Sequence, residues 1–442
     1  MILSGLPVQS CLLKRQVDLA GAKLLVSKSP RLLPELIDIE KSALQTLIHG
    51  PLSIPVGLHS RLKKLHLKEC GINQAMLRLI AGTFIHLETF CVTNEKVDFE
   101  NFRIMSLSPS LQNLKITQCR VRNLQEITHF FQLHSLEFVS SPLNNREMYG
   151  FESLTRLTAL KADYCRIVSI GVIAIANLTT LEYLSLAGNT LDDSHVELLA
   201  PLPRLDHLDL SENEEIEGET FDSLACLEEL KTLSLMDCRI KHGEAFEKMT
   251  KLESLHLNTE FPQTWHLIGL THLTELTHPA SFENIDLQRL GQMGNLVYLD
   301  LSEGFLRITQ AAQLSHLGLL TQLHTLYLEG MFFEGEDDGI PPNQEESLVL
   351  TSALTKLNKL KKLSLTLGAF DKWIGKNLND LKKLKEFTLV LKEMKIDGGV
   401  ANYLSNLTRL TSLRLENCTL IGQAEANLEI LELRDILQFN QE

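Results

Sequence analysis

The sequence predicts an α/β solenoid: a horseshoe of stacked coils, each giving one strand to a concave parallel sheet and a short helix or turn to the convex side, behind a helical N-terminal cap. Three observations carry this. The pattern L-x-x-L-x-L recurs along most of the 442 residues, Asn or Cys recurs at a fixed distance behind it, and a second apolar phrase recurs between its copies. Self-similarity at a fixed short period marks stacked coils, not a set of separate globular domains.

The strand pattern begins at Leu62, Leu111, Leu133, Leu157, Leu181, Leu205, Leu230, Leu252, Leu273, Leu296, Leu323, Leu360, Leu384 and Leu410. A degenerate copy begins at Leu87, with Phe90 and Val92 in the next slots. The usual step of 22 to 25 residues lies inside the range of about 20 to 29 for such coils. Along a strand, side chains alternate faces, so the second and third leucines point inward and their neighbours outward. One coil cannot bury its leucines alone, and stacking makes the core.

Three positions after the last strand leucine stand Cys70, Cys119, Cys165, Asn189, Asn213, Cys238 and Cys418. These side chains are expected to turn inward and bond the backbone of the neighbouring turn. Only Cys11, Cys91 and Cys226 of the eight cysteines fall outside the slot. A thiol held this way needs no catalytic role, because reactive thiolates require an accessible, electropositive setting.

Between strands the phrases FESLTRLTAL, IANLTTLEYL, LLAPLPRLDHL, LIGLTHLTEL and LSNLTRLTSL carry an apolar spine across the convex side. Helical periodicity is clearest in VSIGVIAIANL from Val168, DDSHVELLAPL from Asp192 and TQAAQLSHLGLL from Thr309.

Over residues 60–435 this grammar resembles that of intracellular leucine-rich-repeat proteins. The Cys-containing units, with Asn-Leu-Thr at Asn177 and Asn406, are similar to repeats of eukaryotic F-box proteins and of bacterial effectors that imitate host proteins. The departures are His278 in a third-leucine slot, Glu95 and Glu260 in the Asn/Cys slot, and a 37-residue step from Leu323 to Leu360.

The expected organisation is a cap or docking segment at residues 1–58, about 15 to 16 repeats over residues 59–435, and a tail at residues 436–442. The apolar residues of the first segment suggest two or three short helices broken near Pro30 and Pro51, since solenoid ends need covering. The stretch LPELIDIEKSALQTLI from Leu33 loosely resembles the opening of an F-box, which would make it an adaptor-docking helix pair. An incomplete last unit is expected at Leu428, Leu431 and Leu433.

The long step holds EGEDDGIPPNQEE, residues 334–346, with six acids, two prolines and two glycines, expected as a projecting loop. Its acids do not follow the fixed ligand spacing of an EF-hand. Beyond it, residues 356–395 hold eleven lysines. Solubilisation of a leucine-rich coil is the expected role. A site for phosphate or an acidic partner is the functional alternative, and no interleaved aromatic or Arg pattern stands ready to stack bases.

A net charge of −14 argues against general affinity for nucleic acid or anionic membrane. No run of about 18 apolar residues is present to insert into a bilayer. Lys14 and Arg15 stand where a secretory signal needs its apolar core, so a cytoplasmic chain is expected, or one in a host cytosol if exported. No cofactor or metal is expected, because no cysteine lies in CxxC or zinc spacing. The chain has no phosphate loop, HExxH or GxSxG. His207, Asp209 and Ser211 are the right types for a triad but sit at alternate positions of one strand, about 7 Å apart, where relay needs about 3 Å.

Function is therefore expected on the outward strand slots. At about 4.8 Å per strand these span roughly 70 Å, too open for a small-molecule pocket of about 300 to 1,000 Å³. In mid-chain the slots mix aromatic anchors with hydrogen-bonding groups, as a protein-binding face requires. Tyr298, Asp300, Tyr327 and Glu329 are the expected centre, flanked by Tyr183, His207, Asp209 and His256. The expected function is a non-enzymatic scaffold for a protein ligand, with a bacterial effector in a host cell as one setting. A ubiquitin-ligase substrate receptor and a polyanion- or lipid-binding solenoid are the alternatives.

Overall fold

The computed structural model describes residues 36–40, 62–257, 264–277, 282–302, 305–307, 311–329, 332–333, 342–422 and 437–440. The chain divides into two compact units, one of Met1–Leu191 with Leu198–Leu205 and one of Asp192–Glu197 with Asp206–Glu442.

Among the described residues of the first unit, seven parallel strands pair in sequence order: β1 (Leu36–Glu40), β2 (Lys64–Lys68), β3 (Thr89–Thr93), β4 (Asn113–Thr117), β5 (Ser135–Val139), β6 (Ala159–Asp163) and β7 (Tyr183–Ser185). The register aligns the inward leucine slots, for example Leu65 with Phe90, Phe90 with Leu114 and Leu114 with Leu136. All four are buried. The coil from Leu87, degenerate in sequence, is regular in structure, since Phe90 and Val92 fill the leucine slots. Each buried leucine of such a stack contributes about 1.5–3 kcal/mol.

A left-handed residue follows ten of the strands and turns the next side chain inward. Glu69, Asn94, Gln118, Ser140, Tyr164, Gly188, Glu212, Asp237, Glu393 and Asn417 have positive φ. Directly after them come Cys70, Glu95, Cys119, Ser141, Cys165, Asn189, Asn213, Cys238, Met394 and Cys418. Asn189 shows why this slot favours Asn. Its Oδ1 accepts from Cys165 N and Ile167 N, both at 3.0 Å, and its Nδ2 donates to Ala162 O at 2.8 Å. One side chain thus satisfies backbone groups of the coil before it, which burial would otherwise leave costly. Cysteine supplies a smaller version: the Cys119, Cys238 and Cys418 thiols donate to Val92, Leu210 and Leu391 carbonyls at 3.7, 3.3 and 3.1 Å.

Glu95, an irregularity in the sequence, performs the same task. Its carboxylate accepts from Gly71 N at 2.8 Å and Ile72 N at 3.3 Å, and the residue is buried. The structure also adds Ser141 to the slot, its hydroxyl accepting from Cys119 N at 2.9 Å.

The back of this unit mixes the α-helices Gln74–Thr83 and Ser169–Ala176 with 3-10 turns such as Leu124–Phe130 and Asn145–Ser153. Buried phenylalanines fill the space behind the leucines, with Phe99 edge-on to Phe130 at a ring separation of 6.0 Å.

Among its described residues the second unit pairs ten parallel strands in order: β8 (His207–Asp209), β9 (Thr232–Leu235), β10 (Ser254–Leu257), β11 (Glu275–Thr277), β12 (Tyr298–Asp300), β13 (Thr325–Leu328), β14 (Lys362–Leu367), β15 (Glu386–Lys392), β16 (Ser412–Glu416) and β17 (Leu437–Asn440). The expected convex helices occur here as Asp193–Glu197, and as a 3-10 helix at Ala311–Leu319. Three successive helices share one start signal. Asn343, Asp371 and Asp397 cap Gln344–Leu354, Lys372–Asn379 and Gly398–Ser405, each side chain accepting from the first-turn backbone.

Three expectations change. Leu36–Glu40 is strand, not helix, and pairs Ile37 with Leu65 and Ile39 with Leu67. Pro34 occupies the first-leucine place there, which hides the coil in the sequence. At the other end β17 pairs Leu437 with Leu413, inside the expected tail, while Leu428, Leu431 and Leu433 lie outside the described residues. The 37-residue step is a single coil, because Leu326 still pairs with Leu363. Only residues 334–341 of its acidic stretch lie outside the described residues; Gln344, Glu345 and Glu346 already belong to a helix with an Asn343–Glu346 capping box. His278 and Glu260 lie outside the described residues.

Candidate partner-binding face

Parallel register arranges the outward side chains of the second unit in rows across the strands. One row runs Ser254, Glu275, Tyr298, Thr325, Lys362, Glu386. The next runs His256, Thr277, Asp300, Tyr327, Ser364, Thr388, Ser412. Tyr298 and Tyr327 are therefore diagonal neighbours, and their rings lie 5.8 Å apart at 59°. Tilted pairs at this separation are favourable, contributing about 0.5–1.5 kcal/mol beyond area burial.

Both tyrosines are half-buried, as anchors set into a face should be. The Tyr298 hydroxyl donates to Asp300 Oδ2 at 3.3 Å, and Asp300 Oδ1 accepts from Ser302 N at 2.9 Å. Burial, reinforced by the Asp300 charge, pushes the Tyr298 phenol up to about 12. It remains a neutral donor throughout the physiological range.

Glu329 is engaged by its own sheet. Its carboxylate accepts from the Ser364 hydroxyl and forms an ion pair with Arg414. Thr366 and Val390 lie in register between these coils and are buried although they occupy outward slots. The pair spans them. Ser364 and Arg414 occupy outward strand slots, but nothing in the sequence links them to Glu329. The long step concealed that Glu329 is only three strands from Arg414.

At the other flank, Ser254 donates to Glu275 Oε2 at 3.1 Å, so its oxygen accepts from His256 Nε2 at 3.0 Å. That leaves His256 Nδ1 to accept from Thr277 Oγ1 at 3.2 Å. Asp209 accepts from the Ser211 hydroxyl at 2.6 Å and from Ser211 N at 3.1 Å. The serine hydrogen is thus committed to a carboxylate, the wrong polarity for a nucleophile served by a histidine base. Burial holds the His207 imidazole below its ordinary range, outweighing the nearby Asp209 and Asp206 charges.

Seven of the eight expected contact residues thus share the strand face of the second unit. Tyr183 is the exception: it lies on β7 of the first unit, half-buried, in the same row as Ala159. Four strand positions beyond Ala159 on that face, buried Asp163 accepts from Ser185 Oγ at 2.6 Å and pairs with Lys161 at 2.7 Å.

The cysteines point the same way as the slot geometry. Burial pushes the thiols of Cys119, Cys165 and Cys238 up to about 11, 12 and 12. Among the described residues no group of three or more His, Cys, Asp or Glu is placed to hold a metal ion, and no helix is long and apolar enough to cross a membrane.

Comparison with known proteins agrees with the fold. The leucine rich repeat family profile matches residues 155–214. No curated protein matches the sequence. Among solved structures, an internalin from Listeria monocytogenes is 20% identical with a TM-score of 0.51, over 84% of this chain and 90% of its own. A leucine-rich-repeat protein of Leptospira interrogans is 19% identical with a TM-score of 0.50, over 81% and 91%. TLR13, solved in complex with the RNA ssRNA13, is 20% identical with a TM-score of 0.56, over 86% of this chain and 58% of its own. The chain thus carries a leucine rich repeat match over residues 155–214 and has the fold of leucine-rich-repeat proteins.

Proposed function

We propose that this protein is a non-enzymatic scaffold that captures a protein ligand on the strand face of its second unit, with Tyr298, Asp300 and Tyr327 at the contact centre. The observation that carries the reading is the half-buried tyrosine pair with its aligned carboxylate, on a sheet otherwise lined by polar and charged side chains. Tyrosine offers large contact area with little rotamer entropy to lose, and energetic hot spots concentrate in such residues. An open sheet suits a macromolecule better than a small substrate. The adaptor-docking reading needs a helix where Leu36–Glu40 is a strand, and is not taken further.

The test is capture of partners from native lysate by the full chain and by its Tyr298→Ala/Tyr327→Ala variant, compared by mass spectrometry. Specific partners retained by the wild type should be lost from the variant while its melting curve stays cooperative. Unchanged capture would move the site elsewhere.

A further inference from the structure

We infer that the turn edge leading into β14, β15 and β16 is a second docking surface, on which Lys359, Lys361, Lys382, Lys383, Lys385 and Arg409 bind an acidic segment of the protein ligand. The inference rests on the strand-face reading for the ligand's class, and on a separate set of residues for its own support.

The backbone sets the array. Lys361 N donates to His324 O at 2.8 Å and Lys385 N to Lys361 O at 2.7 Å, so Lys361 and Lys385 stand on successive rungs, about 4.8 Å apart. Lys359, Lys383 and Arg409 each directly precede the first leucine of their coil, at Leu360, Leu384 and Leu410. The Lys359 ammonium donates to the side chain of Gln322, which holds that place one coil earlier, so the column is in register. All six cationic residues are exposed.

Elsewhere on this unit surface lysines have acidic partners, as in Lys248–Asp222 at 2.8 Å and Lys251–Glu229 at 3.2 Å. Among the described residues no carboxylate pairs with Lys361, Lys382, Lys383, Lys385 or Arg409. Residues 355–411 carry twelve Lys and Arg against five Asp and Glu, in a chain of net charge −14. Like charges held side by side on adjacent turns raise the self-repulsion of the folded state, which a polyanion relieves.

The chemistry favours an acidic polypeptide. These are ammonium point charges with one guanidinium among them, and no aromatic side chain belongs to the array to stack a base. The turns offer an edge and not a pocket, so the complement is an extended chain. Alternate side chains of an extended peptide are about 6.8 Å apart, which suits cations two residues apart, as in Lys359 with Lys361 and Lys383 with Lys385. Lys361 and Lys385 run directly into β14 and β15, so a ligand seated on the strand face reaches this edge without a break.

The experiment measures fluorescence anisotropy of a labelled oligoglutamate on the full chain, on Lys359→Gln/Lys361→Gln/Lys383→Gln/Lys385→Gln, and on Tyr298→Ala/Tyr327→Ala. Circular dichroism confirms that each variant is folded. The peptide should bind the wild type, weaken at least about tenfold as salt rises from ~0.05 to ~0.5 M, and weaken by a similar factor in the four-lysine variant. The two-tyrosine variant should bind it as the wild type does. No peptide binding, or binding indifferent to the four lysines, would overturn the proposal. So would lysine-dependent binding of phosphatidylserine vesicles or of an oligonucleotide without peptide binding. If the strand-face reading alone fails, lysate capture survives the tyrosine substitutions while the peptide result stands.

Discussion

Glu95 shows how a residue that breaks a sequence rule can keep the physical one. The slot requires an inward acceptor for the backbone of the preceding turn, and a carboxylate meets it as well as an amide does. Glu95→Ala leaves Gly71 N and Ile72 N without their acceptor. It should destabilise the chain by about 1–3 kcal/mol in denaturant unfolding, with Glu95→Asn less costly. The buried slot thiols should be inert: alkylation of the native protein near pH 8, followed by peptide mapping, should modify exposed Cys226 and spare Cys119, Cys165 and Cys238. Labelling of Cys165 at the rate of Cys226 would contradict the assignment. His207 has a folded-state pKa below its unfolded one, so the unfolded chain takes up its proton first as pH falls. Its contribution to stability is complete above the unfolded histidine value, about 6.5, and is lost as pH drops through that value toward the lower folded one. His207→Gln should flatten that part of the stability profile.

At the scale of elements, register was the least legible property. The leucine pattern placed the strands at fifteen starts correctly, because an inward leucine pair every coil leaves few other arrangements. It did not show that Leu413 pairs with Leu389 and not with Phe387, two residues earlier. Thr411 occupies the resulting irregularity: its hydroxyl donates to Phe387 O and accepts from Phe387 N, both at 2.8 Å. Thr411→Val should cost about 1–3 kcal/mol through the unsatisfied Phe387 amide, whereas Thr408→Val on the exposed turn should cost under about 0.5 kcal/mol. Thermal melts of the two variants decide this. The helix Gln344–Leu354 was hidden by its acidic, proline-containing approach, although Asn343 and Glu346 spell a capping box. Leu36–Glu40 was hidden by Pro34, because periodicity of two over five residues is a weaker signal than a repeated leucine.

For the whole molecule, the solenoid was readable because its repeats over-determine one answer, and the working face was readable only as a list of outward slots. Which slots touch depends on how neighbouring coils are offset, and the offsets came from the structure: they set Tyr298 against Tyr327 and brought Arg414 back to Glu329. In a stack where each coil contacts only its neighbours, ligand protection should stay local to the coils it covers. Hydrogen exchange of the free chain against the chain bound to its captured partner measures this directly. Slowed exchange should concentrate at Tyr298–Asp300, Thr325–Leu328 and the adjoining strands of the second unit. Protection confined to the helices behind them, or to the first unit, would contradict the claim that this protein works through that face.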